Sequence, residues 1–190
     1  MTGDGGGRIW RSCRWAKSRN VYRLLSVGKD EKLPLKDLFV FDSVSERAQR
    51  FLLDFDAAMN DSGYSYGGAP TSGFCWGISQ FAYSRAPEKK KDYVCRLYQR
   101  GNGLVVRLYL QNVNAYSGYI ESAGDHIRDA FVNDFGKCGY CKERCRHRKS
   151  YAIDGKEYDK CDGMTFEFYD PEPAFVPRYL DLIRLSAKSG

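Results

Sequence analysis

Three cysteines stand within eight positions, Cys138-x2-Cys141-x3-Cys145, and fifteen residues separate Cys145 from a fourth, Cys161. Four soft thiolates are what a structural zinc ion requires, in a closed tetrahedron with no position left for water. The sequence between them explains how the fourth ligand returns. With Asp154-Gly155 as a two-residue hairpin turn, Ile153 pairs with Lys156, Tyr151 faces Tyr158, and Cys161 falls opposite Arg148. Three residues of chain, at most about 10 Å, then separate Arg148 from Cys145. We therefore expect a structural zinc held by Cys138, Cys141, Cys145 and Cys161. His147 is an alternative ligand, better suited to supporting the ligands from outside. An iron-sulfur cluster uses the same thiolates at different spacings, and free thiols in a loop are the third reading.

Six cations, Lys137, Lys142, Arg144, Arg146, Arg148 and Lys149, crowd this segment. A zinc ion with four thiolates carries a formal charge of −2, and nearby cations both offset that charge and favour the thiolate form. Six exceed this need. Lys142, Arg144, Arg146, Arg148 and Lys149 are therefore candidates for contact with an anion or a nucleic acid. A second basic stretch lies at residues 1–23, where six Lys or Arg stand against Asp4, while the chain as a whole carries +6. The rest is therefore acidic, and the two basic patches are local features.

The 190 residues, 43% of them apolar, suffice for one well-buried core. Residues 1–25 read as a loose basic arm and 26–190 as a single domain, with the zinc loop at 137–161. No apolar run is long enough to span a bilayer, and no apolar stretch follows the basic start to act as a secretory signal. The seven cysteines fit a reducing compartment better than a disulfide framework. Together these features predict a soluble, cytoplasmic protein.

The periodicity supplies the elements that must hold these residues. "DSVSERAQRFLLDFDAAMNDSG" predicts a helix with a capping box from Ser43 to Glu46, a buried stripe of Phe51, Leu52, Phe55 and Met59, and a stop at Gly63. Short strand patterns follow in "FCWGISQFAYS", "DYVCRLYQ" and "LVVRLYLQ", the last two joined by a hairpin at Arg100-Gly101-Asn102-Gly103. Residues 115–135 predict one helix burying Tyr119, Ile120, Ala123, Ile127, Ala130 and Phe131. After the cysteines come the hairpin, the strand "MTFEFYD" and a closing helix with Pro177 in its first turn. The expected fold is α+β: a mostly antiparallel sheet packed by helices on one face, with the zinc loop inserted before the last hairpin and the C-terminal helix.

Alternation along the central hairpin separates two faces. Cys95, Leu97, Leu104, Val106, Leu108 and Leu110 point to the core, whereas Arg96, Tyr98, Arg107 and Tyr109 point away from it, with Glu167 and Tyr169 as candidates to join them. A sheet covered on one side leaves the other open. Arg96, Tyr98, Arg107 and Tyr109 are thus the candidate ligand-binding residues. The chain contains no His-Glu-x-x-His, Gly-x-Ser-x-Gly, phosphate-loop or dinucleotide motif, and its two histidines leave few general bases. His126 reads as a surface or satisfied helix residue.

The stretch "CGYCKERCRHRKSYAIDGKEYDKC" followed by "MTFEFYDPEPAFVPRYLDLI" resembles the C-terminal part of small uncharacterised bacterial proteins with a cysteine cluster ahead of a last strand and helix. The strand and helix region before it is loosely similar to GyrI-like effector-binding domains of bacterial regulators, which lack such a cluster. This resemblance covers about half the chain. It implies a bacterial source and a small-molecule or regulatory binding role, without catalytic residues to carry over. The leading expectation is a non-enzymatic, zinc-stabilised binding domain with its ligand on the aromatic and basic sheet face. A nucleic-acid-associated protein using the zinc loop and arm is the alternative, and a thiol redox sensor that releases zinc on oxidation is a third.

Overall fold

The computed structural model describes residues 44–66, 71–72, 79–85, 92–100, 103–133, 149–160 and 164–189. The expected arm at 1–25 lies outside them. Helix α1 spans Glu46–Asp61 and buries Phe51, Leu52, Phe55 and Met59, the stripe that its periodicity predicts. Its N-cap is Ser45, whose Oγ accepts from the Ala48 N–H at 3.3 Å, so the expected cap at Ser43 is corrected by two residues. A serine in extended backbone (φ −62°, ψ 155°) satisfies an N–H that the first turn cannot, and Glu46 adds negative charge at the positive end of the helix dipole. The chain leaves α1 through Gly63, at φ +80°.

A five-stranded antiparallel sheet follows. It comprises β1 (Thr71–Ser72), β2 (Ser79–Ser84), β3 (Tyr93–Arg100), β4 (Gly103–Tyr109) and, from much later in the chain, β7 (Thr165–Tyr169), in the order β1-β2-β3-β4-β7. The Arg100↔Gly103 pair closes the β3–β4 hairpin as the glycines predict. Between α1 and β2 the isolated Ser65↔Ser84 bridge ties the loop to the sheet.

After β4 a 3-10 turn, Val113–Tyr116, leads into α2 (Ser117–Ser122) and α3 (Asp125–Val132). The single helix expected at 115–135 is therefore two. The break falls at Gly124, whose φ of +91° and ψ of 163° only glycine adopts readily, and whose carbonyl accepts from Ile127 and Arg128 to start α3. Burial of Ile120, Ala123, Ile127, Ala130 and Phe131 survives the break, while Tyr119 is half-buried.

Strands β5 (Lys149–Ile153) and β6 (Lys156–Lys160) form a separate hairpin between α3 and β7. Asp154 and Gly155 sit at φ +51° and +70°, the geometry of a tight turn that matches strand twist. The register is the expected one, Ile153↔Lys156 and Tyr151↔Tyr158, with the two tyrosine rings 6.0 Å apart. Tyr151 and Ile153 insert into the core, and Tyr151 donates to the Phe131 carbonyl. Asn114 accepts from the Ala152 N–H at 2.8 Å and Glu121 from Asp154 N–H at 2.8 Å, so α2 and the turn before it hold the hairpin in place.

A 3-10 turn at Pro173–Phe175 opens the closing helix α4 (Val176–Lys188), with Pro177 in its first turn as expected. Tyr179 is its central anchor, with ring centroids 5.0 Å from Phe168, 6.1 Å from Phe51 and 6.3 Å from Phe55. Helices α1, α3 and α4 all pack on one face of the sheet, shown by Phe55 on Tyr83, Phe131 on Phe166 and Tyr179 on Phe168. Each buried aromatic contributes roughly 1.5–3 kcal/mol through the area it removes from water. The α+β class and helices on one face are thus as expected. Among the described residues, no helix is long and apolar enough to cross a membrane.

Candidate ligand face and cysteine segment

The sheet register sets one row of side chains across four strands on the face away from the helices: Ala82 on β2, Arg96 on β3, Arg107 on β4 and Glu167 on β7. The neighbouring row runs Tyr98, Val105 and Tyr169. Four side chains from these rows form one network. Glu167 accepts at Oε1 from the Tyr98 hydroxyl at 2.5 Å and from Arg107 Nε at 3.0 Å, with Arg107 Nη2 on the same oxygen. Its Oε2 accepts from the Tyr169 hydroxyl at 2.6 Å. Arg100 Nη1 donates to the Tyr169 hydroxyl at 3.0 Å, and its guanidinium lies 5.9 Å from the Tyr98 ring centre.

This face is less open than alternation implies. Tyr98, Arg107 and Glu167 are 1%, 3% and 2% exposed, so the face expected to be open is closed at its centre. Alternation reports which side chains share a face, not whether that face is covered, and the apolar Val105 in the neighbouring row is as buried as its charged neighbours. Electrostatics agrees with the geometry. Burial pushes the Glu167 carboxyl up, but Arg107 and the hydrogen bonds from Tyr169, Tyr98 and Arg107 more than reverse this and leave it below its ordinary value. Burial disfavours the Arg107 cation and Glu167 restores it, so the pair remains charged. Tyr98 is pushed far up, first by burial and then by Glu167, and stays a donor.

The other two expected ligand residues stand at one side of this network. Arg96 and Tyr109 are half-buried. The Arg96 guanidinium lies 5.6 Å from the Tyr109 ring centre and 5.0 Å from that of Tyr93. Tyr93 was not expected here, because strict alternation groups it with Cys95 and Leu97. A register shift explains it: Tyr83 pairs with Cys95 but Ser84 pairs with Tyr93, so one step along β2 spans two on β3. The "NG" and glycine signals that mark turns have no counterpart for such a bulge.

Two shallow depressions adjoin the network, and Tyr169 lines both. One, of about 370 Å³, lies against Arg100, Leu104 and Asp170; the other, of about 390 Å³, lies against His126, Asp129, Glu167 and Phe168. His126 stacks on Phe175 at 4.0 Å, and its Nε2 is hydrogen-bonded to the Tyr179 hydroxyl at 2.6 Å. Of the two readings, surface or satisfied helix residue, these contacts fit the second. Burial lowers its pKa, against the opposing pull of Glu172 and Asp129, so the neutral ring is favoured.

The four candidate zinc ligands, Cys138, Cys141, Cys145 and Cys161, lie outside the described residues, as do Lys142, Arg144, Arg146 and Arg148. Lys149 is described; it is exposed, with Nζ 3.4 Å from Gln111 Oε1. The residues that border the cysteine segment meet in space. Lys149 pairs with Lys160 at the open end of the hairpin, and the buried Lys160 donates from Nζ to the Asn133 carbonyl at 3.4 Å. Among the described residues, no group of three or more His, Cys, Asp or Glu is placed to hold a metal ion.

Comparison with protein-family models, curated proteins and solved structures finds no match.

Proposed function

We propose that this chain is a non-enzymatic binding domain, stabilised by a structural zinc, that takes a small-molecule or regulatory ligand on the sheet face around Arg96 and Tyr109. The observation that carries this reading is the contrast on that face. Tyr98, Arg107, Glu167 and Tyr169 bond to one another and form a fixed floor, while Arg96, Tyr93 and Tyr109 beside them remain half-buried. A paired floor under a partly open basic and aromatic rim is preorganised, so a ligand meets it at little ordering cost.

The zinc part of the proposal is supported by the convergence of Asn133, Lys149 and Lys160. The segment 134–148 leaves and returns at one point, and Cys161 directly follows Lys160 there. Four thiolates at this spacing would suit zinc, whose binding energy would then add directly to folding.

The test is a thermal-shift and NMR titration of the full chain with neutral and anionic aromatic compounds, alongside a fluorescent oligonucleotide in single-stranded and duplex form. The expected result is saturable compound binding that Tyr109→Ala and Arg96→Ala abolish and that replacing both Arg146 and Arg148 leaves intact. Binding only to the oligonucleotide, falling steeply with salt and lost on replacing Arg146 and Arg148, overturns the proposal in favour of a nucleic-acid role.

A further inference from the structure

Arg96 presents an unusual charge problem for its position. The row Arg96–Arg107–Glu167 contains two cations and one carboxylate, and every hydrogen bond that Glu167 accepts here comes from Arg107, Tyr98 or Tyr169. Among the described residues Arg96 has no ion-pair partner, and its Nε is buried with no hydrogen-bond partner. The rings of Tyr93 and Tyr109 attract the cation but offer no acceptor to that N–H at these positions. A second donor with the same deficit stands in the same corner. Ser84, 2% exposed, has a buried Oγ without a partner, and it lies opposite Tyr93, two residues along β2 from the Ala82 that faces Arg96. The β2–β3 register thus places two buried polar groups, one of them cationic and both without partners among the described residues, within two residues of one another along the ladder, where a folded chain would normally leave neither.

We propose that this corner is an oxyanion-binding site: Arg96 receives a carboxylate or phosphate group through its unpaired Nε–H side, Ser84 supplies a hydroxyl donor, and Tyr93 and Tyr109 wall the group. The inference rests on the sheet-face reading above and assigns its ligand class. An oxyanion is the chemistry that settles all three deficits at once. It neutralises the surplus cation, accepts from Nε–H in the planar, forked manner of guanidinium recognition, and accepts from the Ser84 hydroxyl. A neutral acceptor would satisfy the hydrogen bonds and leave the charge. The tyrosines then define what else the ligand brings, since their half-buried rings favour an aromatic or apolar body behind the anionic group.

The side-chain Nε–Hε signal of Arg96 in a ¹⁵N-correlated NMR spectrum of the full chain is the direct readout. The probes are inorganic phosphate, benzoate and the neutral isostere benzamide. Saturable movement of that signal with phosphate or benzoate, and not with benzamide, is the expected result; preference between phosphate and benzoate identifies a phosphoryl or a carboxylate source. Arg96→Lys, which keeps charge without the fork, should weaken binding by about tenfold. Ser84→Ala should weaken it by about three- to tenfold without lowering the melting temperature, which guards against misfolding of an Arg96 variant. Benzamide binding as well as benzoate, with the Arg96 signal unmoved by phosphate, overturns the oxyanion assignment and leaves the sheet-face reading standing. Silence of Arg96, Tyr98 and Tyr109 toward all three probes, with other compounds also failing to bind this face, overturns both.

Discussion

Arg96 and Arg107 stand directly opposite one another across the β3–β4 ladder, two like charges in one cross-strand pair. Such pairing is normally destabilising. Here the two guanidinium groups have different partners: Arg107 bonds to Glu167 on the next strand, and Arg96 lies near Tyr93 and Tyr109. One cation is buried and paired, and the other has no counter-ion among the described residues. That asymmetry makes the two residues respond oppositely to the same substitution.

Arg107→Met should cost about 3–5 kcal/mol, because it leaves the Glu167 carboxylate buried without its cation. Arg96→Met should instead raise stability by about 1 kcal/mol in an anion-free buffer, since it removes an unpaired donor and a like charge. Urea unfolding of the two single variants checks both. Equal destabilisation by the two would mean that Arg96 has a partner in solution.

Acid should act in two separate windows. His126 has a lowered pKa in the folded state, so the folded chain resists the proton that the unfolded chain accepts. Its contribution is complete above about pH 6.5 and declines as pH falls from there toward the lowered folded value. Glu167 is likewise depressed, so its contribution is present above about pH 4.3 and is lost as pH falls through its folded pKa. Melting temperature measured against pH should show the upper decline disappear in His126→Gln, while Glu167→Gln lowers stability at neutral pH and flattens the acid limb.

Local patterns carried much of this fold. The stripe of α1, the β3–β4 hairpin and the Asp154-Gly155 turn each follow from residues close together in the chain, and the Tyr151↔Tyr158 register follows from the turn. The break at Gly124 was a local signal outweighed by an uninterrupted helical stripe on both sides of it. The closed centre of the candidate ligand face lies beyond local patterns. Tyr98 and Arg107 meet Glu167 only because β7 returns beside β4 from about sixty residues away. Tyr93 joined that face through a register shift set by its partner strand, which no period within β3 records.

The hairpin turn links fold to the cysteine segment and can be weakened without touching either. Gly155→Ala should cost about 1 kcal/mol or more, because φ there is +70° and space is not the obstacle. Asp154→Asn removes the charge that Arg128 pairs with, bonded from Nε at 2.7 Å, while keeping a side chain that tolerates the φ of +51° there; the pair is over a third exposed, so little stability should be lost. Chemical denaturation ranks the two, with Gly155→Ala the larger. If the proposed zinc is held next to this hairpin, Gly155→Ala should also weaken metal retention against a chelator.

The proposed zinc site and the core divide the cysteines by chemistry, which gives the sharpest test of the cysteine segment. Metal analysis should find one zinc per chain, lost when Cys138, Cys141, Cys145 or Cys161 is replaced by serine, and removal by a chelator should lower the melting temperature because binding energy at such a site is folding energy. Cys95 should behave differently. It is fully buried beneath the helices, burial pushes its thiol well above the ordinary range, and the neutral thiol neither attacks a labelling reagent nor ligates a metal. In native zinc-bound protein, Cys95 and the four ligands should all resist alkylation, for opposite reasons: burial in one case and coordination in the other. Chelation separates them. After metal removal under conditions where the sheet remains folded, four further thiols should label and Cys95 should not. Labelling of Cys138, Cys141, Cys145 and Cys161 at the same rate before and after chelation would remove the zinc from this account and leave the domain to stand on its core alone.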